Sequence, residues 1–556
     1  MSFLSGNNSV STRLILYKPL RDSTRVTWPA LPEGYSLTIT SSHPEGYLDN
    51  EGVVLRRPAA GQPDIPVEVS ARIAEAATGK TENLSLTLPL SAVYTGPLVN
   101  AGPADVAAAK EAYLEKKAGV FVHYVPRLTV DRSGAVVDDI DALADRFDAP
   151  QFAQDMRDFG AEYVIFTVWH FNAVTLYPSA VNKRWRDDRR ASPGFKSYSN
   201  RDLIADLAAE LLHYNIDLHL YCHPVDGHDF TAEDQELAGW NDCGGNANGD
   251  HSRWNQFQNE LYDELCRRYA GTIKGLWFDG MYGHKNHPMI DQWRFRKTLL
   301  ACDPGLILVA NMGDERSTGI LAKFPAADYG AWELNADVTG KFLGFGSVNP
   351  EADNSNAATW PVTRQQTAMI IAPDTWWASK IDADIPMPHS QEELFRYIVL
   401  QASISVSGGV ALSAGCFPDH GNIWESSVKE DLTYMNKTYL APIAKSVKGT
   451  VPGKAYVTPE KSWLQNMAWG VSTESPDGSI VYLHIMKPPA ESRTLHIGPT
   501  ADGSELGGEA VVLNYDGSTS TAEFTKTGVG YDITLPLGRD WHDLDTVVQV
   551  QRLEKA

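Results

Sequence analysis

The chain has 556 residues, of which 43% are hydrophobic and 21% charged, a composition that fits a globular protein with material for two or three cores rather than one. A formal charge of -22 would repel nucleic acid and anionic lipid over most of the surface, so neither is expected as a partner and a neutral substrate is. No apolar stretch approaches the roughly 20 residues of a membrane span.

Met1-Ser2-Phe3-Leu4-Ser5-Gly6-Asn7 carries neither the basic nor the apolar region of a signal peptide. A removed export signal would leave the same picture, so the compartment is periplasmic or secreted in that case and cytoplasmic otherwise. The first hundred residues alternate apolar and polar in short runs, as in Leu37-Thr38-Ile39-Thr40, Val67-Glu68-Val69-Ser70 and Leu84-Ser85-Leu86-Thr87-Leu88, with Gly, Pro and Asn between them. That is the pattern of an all-β sandwich. The pieces Leu31-Pro32-Glu33-Gly34-Tyr35, Leu48-Asp49-Asn50-Glu51-Gly52, Arg57-Pro58 and Asp64-Ile65-Pro66-Val67 resemble, in this order, the bacterial immunoglobulin-like modules attached to carbohydrate-active enzymes.

From about Asp105 the texture becomes amphipathic helix followed by apolar strand, the signature of βα repeats. The first strand is Val120-Phe121-Val122-His123. A helix then carries Phe152, Met156 and Phe159 at i, i+4 and i+7, and Gly160 stops it before the strand Tyr163-Val164-Ile165-Phe166. Ser199 or Asn200 caps a helix with Leu203, Leu207 and Leu211, followed by the strand Ile216 to Tyr221. A helix with Trp254, Phe257, Leu261 and Leu265 leads into a strand from Ile273 that ends at Asp279. Further strands are expected at Leu306 to Asn311, Asp328 to Glu333, Thr375 to Ser379 and Val410 to Ala414, with helices near 290–301, 390–404 and 425–446. Eight such strands make a (β/α)8 barrel. Beyond Pro452 alternation returns, as in Ser479 to Leu483 and Tyr531 to Leu535. The expected plan is an immunoglobulin-like β-sandwich over 1–104, a TIM-type barrel over 105–448 and a C-terminal β-sandwich over 449–556.

Within this plan Gly275-Leu276-Trp277-Phe278-Asp279-Gly280 is the most informative stretch, because an apolar run ends abruptly in a carboxylate. Side chains at the C-terminal ends of barrel strands face the active-site mouth. Locally the pattern fits a catalytic acid and a carboxylate capping the next turn equally well. The strand ends taken together resemble the α-L-fucosidases of glycoside hydrolase family 29 over most of residues 108–556. Gly119-Val120-Phe121-Val122-His123-Tyr124 is similar to that family's first strand. Phe147-Asp148-Ala149-Pro150-Gln151-Phe152 through Thr167-Val168-Trp169-His170 is similar to its next helix and second strand. Leu218-His219-Leu220-Tyr221 resembles its third strand, and Leu276-Trp277-Phe278-Asp279-Gly280 its nucleophile motif.

The resemblance implies a retaining exo-glycosidase acting on terminal α-L-fucosyl or related α-L-glycosyl residues, with Asp279 as nucleophile. Cleavage of an acetal also needs a second, protonated carboxyl. Asp328-Tyr329-Gly330-Ala331-Trp332-Glu333 has the form in which many members carry it, so Glu333 is the acid/base candidate, against a surface role and the competitors Asp314, Glu315 and Asp226. His123, His170, Tyr221 and Trp277 match family contacts to the sugar. Trp376 resembles another, with a packing role equally open. His223, His228, His284 and His287 fit no metal-ligand spacing, so neither metal nor organic cofactor is expected.

Departures from the family concern the sugar. His170-Phe171-Asn172 stands where many members have two adjacent histidines, His123-Tyr124-Val125-Pro126 where His-Trp-Gly is common, and Asn311-Met312-Gly313 lacks a nearby arginine. Such changes can shift preference among fucose, L-galactose and L-glucose. The competing readings are a carbohydrate-binding protein on a degenerate glycosidase scaffold and an unrelated barrel enzyme such as an α-galactosidase. The partner in the first two readings is an oligosaccharide or glycoside, and oligomeric state is not set by the sequence.

Overall fold

The computed structural model describes residues 34–50, 65–90, 103–191, 194–243, 250–280, 290–311, 326–334, 366–371, 376–378, 389–419, 427–459 and 467–553, with isolated positions between them. Leu31 to Glu33, Arg57-Pro58, Asp64, His284, His287, Asp314 and Glu315 lie outside the described residues.

Strands β1 (Tyr35–His43), β2 (Ile65–Glu75) and β3 (Thr81–Leu90) form a three-stranded antiparallel sheet. Along β2 the alternation is literal: Val67, Val69, Ala71 and Ile73 are buried, and Glu68 and Arg72 between them are exposed.

Eight parallel strands then close into a barrel: β4 (Ala118–Val122), β5 (Tyr163–Trp169), β6 (Asp217–Cys222), β7 (Ile273–Phe278), β8 (Ile307–Asn311), β9 (Tyr329–Leu334), β10 (Gln366–Ile370) and β11 (Val410–Ser413). Seven stand where the apolar runs put them. The seventh barrel strand is not Thr375 to Ser379 but β10, and Trp376–Ala378 bend away after it. The reason is space. Phe121 and Trp277 meet edge to face inside the barrel at 5.1 Å between centroids, and Ala331, Ala368 and Ala411 line the same interior core. A strand there would turn one of its two adjacent tryptophans into that volume, which the smaller Gln366 and Ala368 fill instead.

The helix Leu203–Leu212 is capped by Asp202, whose carboxylate accepts from Ala205 N at 3.0 Å, not by Ser199 or Asn200. Asn200 is instead bonded to Asp141. The helix Gln391–Ala402 begins with a reciprocal capping box between Ser390 and Glu393. The helix Val428–Met435 continues through a π turn, Asn436–Leu440, into a 3-10 segment, Ala441–Ser446.

Beyond it β12 (Val451–Pro452), β13 (Gly470–Glu474), β14 (Ile480–Ile485), β15 (Thr494–Ile497), β16 (Glu505–Leu513), β17 (Thr519–Thr527), β18 (Gly530–Thr534) and β19 (Thr546–Leu553) form one antiparallel sheet in the order β12-β13-β14-β19-β16-β17-β18-β15. It wraps around its own core of Val481, Leu483, Ile533, Val548 and Val550. Against the barrel it is held by Arg396 donating to the Asp543 and Leu544 carbonyls, and by the buried His484, whose Nε2 lies 3.1 Å from the Ser446 carbonyl oxygen.

Candidate active site

Two glycines explain how β7 delivers Asp279. A Cβ on Gly275 would meet the His219 ring at 2.3 Å, so only glycine lets β6 and β7 lie this close with a histidine between them. Gly280, at φ +73°, takes the left-handed turn that ends the strand, and a Cβ there would strike Val225 and His223. The Asp279 backbone N–H still donates to the Cys222 carbonyl at 2.9 Å, so the carboxylate sits on the last rung of the barrel ladder.

Each oxygen of that carboxylate is held. Oδ1 accepts from Asn311 Nδ2 at 2.7 Å and from Gly280 N at 2.6 Å, and Oδ2 accepts from the Tyr221 hydroxyl at 2.5 Å. Asn311, at the end of β8, has two hydrogens on Nδ2, and it also donates to Glu333 Oε1, on β9. One amide nitrogen therefore bridges both carboxyl groups, which puts their bound oxygens within about 5 Å of each other. A double-displacement glycosidase separates its carboxyl groups by roughly 5–5.5 Å, and an inverting one by roughly 6.5–9.5 Å.

Three imidazoles stand beside the pair. His123 Nδ1 lies 3.0 Å from Thr167 Oγ1, and the Thr167 hydroxyl proton goes to the Val122 carbonyl, so His123 is the donor and its Nε2 is left as an acceptor. Burial, with His170 and His223 nearby, pushes the His123 pKa well down and keeps the ring neutral. His170 is the reverse. Burial opposes its charge, but Asp226, 2.7 Å from Nδ1, outweighs that with help from Asp279 and raises its pKa. His223 stacks on His170 with ring centroids 5.1 Å apart, and its Nε2 lies 3.9 Å from Asp279 Oδ2. Its Nδ1 is 3.0 Å from Asp226 Oδ1 without forming a hydrogen bond.

His170 is presented by an unusual turn. Phe171, Asn172 and Ala173 all have positive φ, at 25°, 64° and 46°. Three such residues in succession are strained and need external support. Arg186 supplies it, donating to the Asn172 carbonyl at 2.7 Å and to Asp234 at 2.8 Å, and Asn182 Nδ2 donates to the Ala173 carbonyl at 2.8 Å.

Of the residues singled out in the sequence, Asp279, Glu333, Tyr221, His123 and His170 thus meet in one cluster at the strand ends. Trp277 lies a layer deeper: it is 2% exposed, stacks on Tyr221 at 5.5 Å between centroids, and donates its indole N–H to Gln366 Oε1 at 3.0 Å. Trp376 meets the ring of Phe121 at 5.6 Å and that of His123 at 5.9 Å. Asp226, a competitor for the acid role, is buried against the two imidazoles. Asn311 was overlooked as a site residue, although its strand shows the same signal as Asp279, an apolar run ending in a polar side chain. Cys222, Cys266, Cys302 and Cys416 are buried free thiols. Among the described residues no group of three or more His, Cys, Asp or Glu is arranged to hold a metal, and no helix is long and apolar enough to cross a membrane.

Residues 141–334 match the family model described as Alpha-L-fucosidase, a segment that contains Asp279, Asn311 and Glu333. Among solved structures, an alpha-L-fucosidase from Bacteroides thetaiotaomicron trapped as a covalent intermediate with 2-fluoro-fucosyl fluoride is similar at 17% identity, covering 80% of this chain and 96% of that one with a TM-score of 0.54. Alpha-L-fucosidase isoenzyme 1 from Paenibacillus thiaminolyticus is similar at 16% identity, covering 81% and 100%, with a TM-score of 0.53. No curated protein matches the chain. By fold and family match the protein is a glycoside hydrolase. Over residues 141–334 it is similar to the alpha-L-fucosidase family, and its fold is that of the solved alpha-L-fucosidases.

Proposed function

We propose that the protein is a retaining exo-glycosidase that removes terminal α-L-fucosyl or closely related α-L-glycosyl residues, such as L-galactose or L-glucose, from a glycoside. The observation that carries this reading is the Asn311 bridge, which holds Asp279 and Glu333 at the spacing of a double displacement. With Oδ1 of Asp279 bound by two donors, Oδ2 attacks the anomeric carbon. As that bond forms, the bond to the leaving oxygen breaks and Glu333 gives it a proton. Water then takes the place of the leaving group, Glu333 recovers a proton from it, and the bond from Asp279 to the sugar breaks. The Tyr221 hydroxyl and Asn311 amide orient the nucleophile. His123 as acceptor and His170 as donor present opposite polarities to the sugar hydroxyls, so they read hydroxyl direction and not only position.

Support for a remodelled sugar site comes from Phe171, an apolar side chain in the strained turn beside His170. The test is release of 4-nitrophenol from α-L-fucoside, α-L-galactoside, α-L-glucoside and α-D-galactoside by wild type and Asp279→Asn. Turnover of an α-L-glycoside that falls by roughly 10³-fold or more in the variant is expected. No turnover of any α-L-glycoside, or turnover that survives the substitution, overturns the assignment. Preference for the fucoside over all others overturns the remodelling.

A further inference from the structure

A cavity of about 280 Å³ opens in the C-terminal sheet, away from the barrel mouth, lined among others by Tyr515, Arg539, Asp540, Trp541, His542 and Asp545. Its size is at the low end of the roughly 300–1,000 Å³ typical of small-molecule sites and suits one sugar ring. It lies where two cores meet: Tyr515 packs against the barrel-side core, and Trp541 against the core of the sandwich itself. Both rings are partly exposed.

The aromatic lining is fixed in place. The Trp541 indole N–H donates to the Ser492 carbonyl at 2.8 Å, and the Tyr515 hydroxyl donates to the Asp545 carbonyl at 3.1 Å, so neither ring can turn without losing a bond. The His542 ring lies 4.3 Å from that of Tyr515, and its Nδ1 accepts from Leu544 N, which leaves Nε2 as a donor in the neutral ring. Arg539 and Asp540 are exposed beside them. Asp545 completes the wall. It is fully buried, its Oδ2 is paired with His484 Nδ1 at 2.7 Å, and its Oδ1 has no hydrogen-bond partner. That oxygen is sealed from solvent, so Asp545 braces the cavity wall from behind, and the exposed carboxylates of Asp516 and Asp540 are the acceptors that a ligand meets.

We infer that this cavity is a second carbohydrate site, accepting one neutral pyranose unit of a glycan. Rigid aromatic faces suit the C–H face of a sugar. Carboxylate, guanidinium and imidazole groups together supply acceptors and donors for its hydroxyls. Three acidic side chains in the lining, Asp516, Asp540 and Asp545, disfavour an anionic sugar. The inference is independent of the reading of the barrel site, since none of the residues proposed for catalysis lines the cavity.

The test uses the full chain labelled with 5-fluorotryptophan. The fluorine signal of Trp541 is identified by its loss in Trp541→Phe, and the protein is titrated with L-fucose, D-galactose, D-glucose and N-acetyl-D-glucosamine. At least one sugar should shift that signal saturably. In the double variant Arg539→Ala, Asp540→Ala, whose side chains are exposed, binding should weaken tenfold or more while hydrolysis of the aryl glycoside stays within about twofold of wild type. The inference is overturned if no sugar moves the signal, if the shift persists undiminished in the double variant, or if choline moves it and no sugar does.

Discussion

The barrel interior is polar at both ends, and the two ends handle polarity in opposite ways. At the mouth, Asp279, Glu333, His170 and Asp226 are charged groups or groups poised to charge, crowded together at the strand ends. At the floor stand Tyr113, Tyr163, His219 and Gln366, all neutral. Gln366 Nε2 donates to both tyrosine hydroxyls at 2.9 Å, its Oε1 accepts from Trp277, and Tyr163 donates to the Gly408 carbonyl at 2.5 Å. Burial raises the tyrosine pKa values and pushes that of His219 down to about 4, so nothing at the floor ionises near neutrality. The same fold thus uses hydrogen bonds at one end to close a core, and at the other to hold charges that a substrate completes.

The sharpest way to break the comparison is at the mouth. Glu333→Gln should lower hydrolysis of an alkyl glycoside by roughly 10²–10⁴-fold, and that of a 4-nitrophenyl glycoside much less, because a good leaving group needs little protonation. An equal loss on both substrates in steady-state assays would remove Glu333 from the acid role. Asn311→Ala should cost about 10–10³-fold in kcat, since it strips a preorganised donor from both carboxyl groups at once, and should leave the melting temperature nearly unchanged. A variant that lost stability in place of kcat would make Asn311 a structural residue.

At the floor the signs reverse. Gln366→Leu should destabilise by about 1–3 kcal/mol in denaturant unfolding, by orphaning the Trp277 indole and removing the donor to two phenols, with kcat/KM for the surviving fraction close to wild type. A large loss of kcat without loss of stability would blur the division between the two ends. The last effect is a pH dependence, and at neutral pH it vanishes. The His219 pKa in the folded state lies below the ordinary value of 6.5, so the unfolded chain takes up the proton first on acidification. Its contribution to stability is fully present above about pH 6.5 and is lost as pH falls toward 4, on the order of 2–3 kcal/mol. Melting of wild type and His219→Phe between those values checks this: the wild-type slope should be the steeper, and equal slopes would exonerate the histidine.

How much of this was legible beforehand depended on whether the signal was local. The motif around Asp279 was readable because a buried parallel strand must be apolar throughout, which makes a terminal carboxylate conspicuous. Asn311 ends its strand in the same way, yet an uncharged amide at a strand end does not by itself point to chemistry. His223 was readable only as one of several loop histidines. Its stacking on His170 depends on the close passage of β6 and β7, which two glycines permit. β10 was misplaced because Gln366 and Ala368 make a weak strand pattern, and the Trp376-Trp377 pair a strong one.

The sequence by itself determined the alternation of elements, the acidic surface and the order of strand-end motifs, because periodicity and burial act over a few residues. The tertiary structure alone decided that one asparagine joins two carboxyl groups from strands on either side of it, that a triple left-handed turn is pinned by a buried arginine, and that Tyr515 and Trp541 line one cavity. Each of these is a meeting of groups distant along the chain. Such meetings are fixed by barrel closure and by sheet register, which no short window of sequence contains.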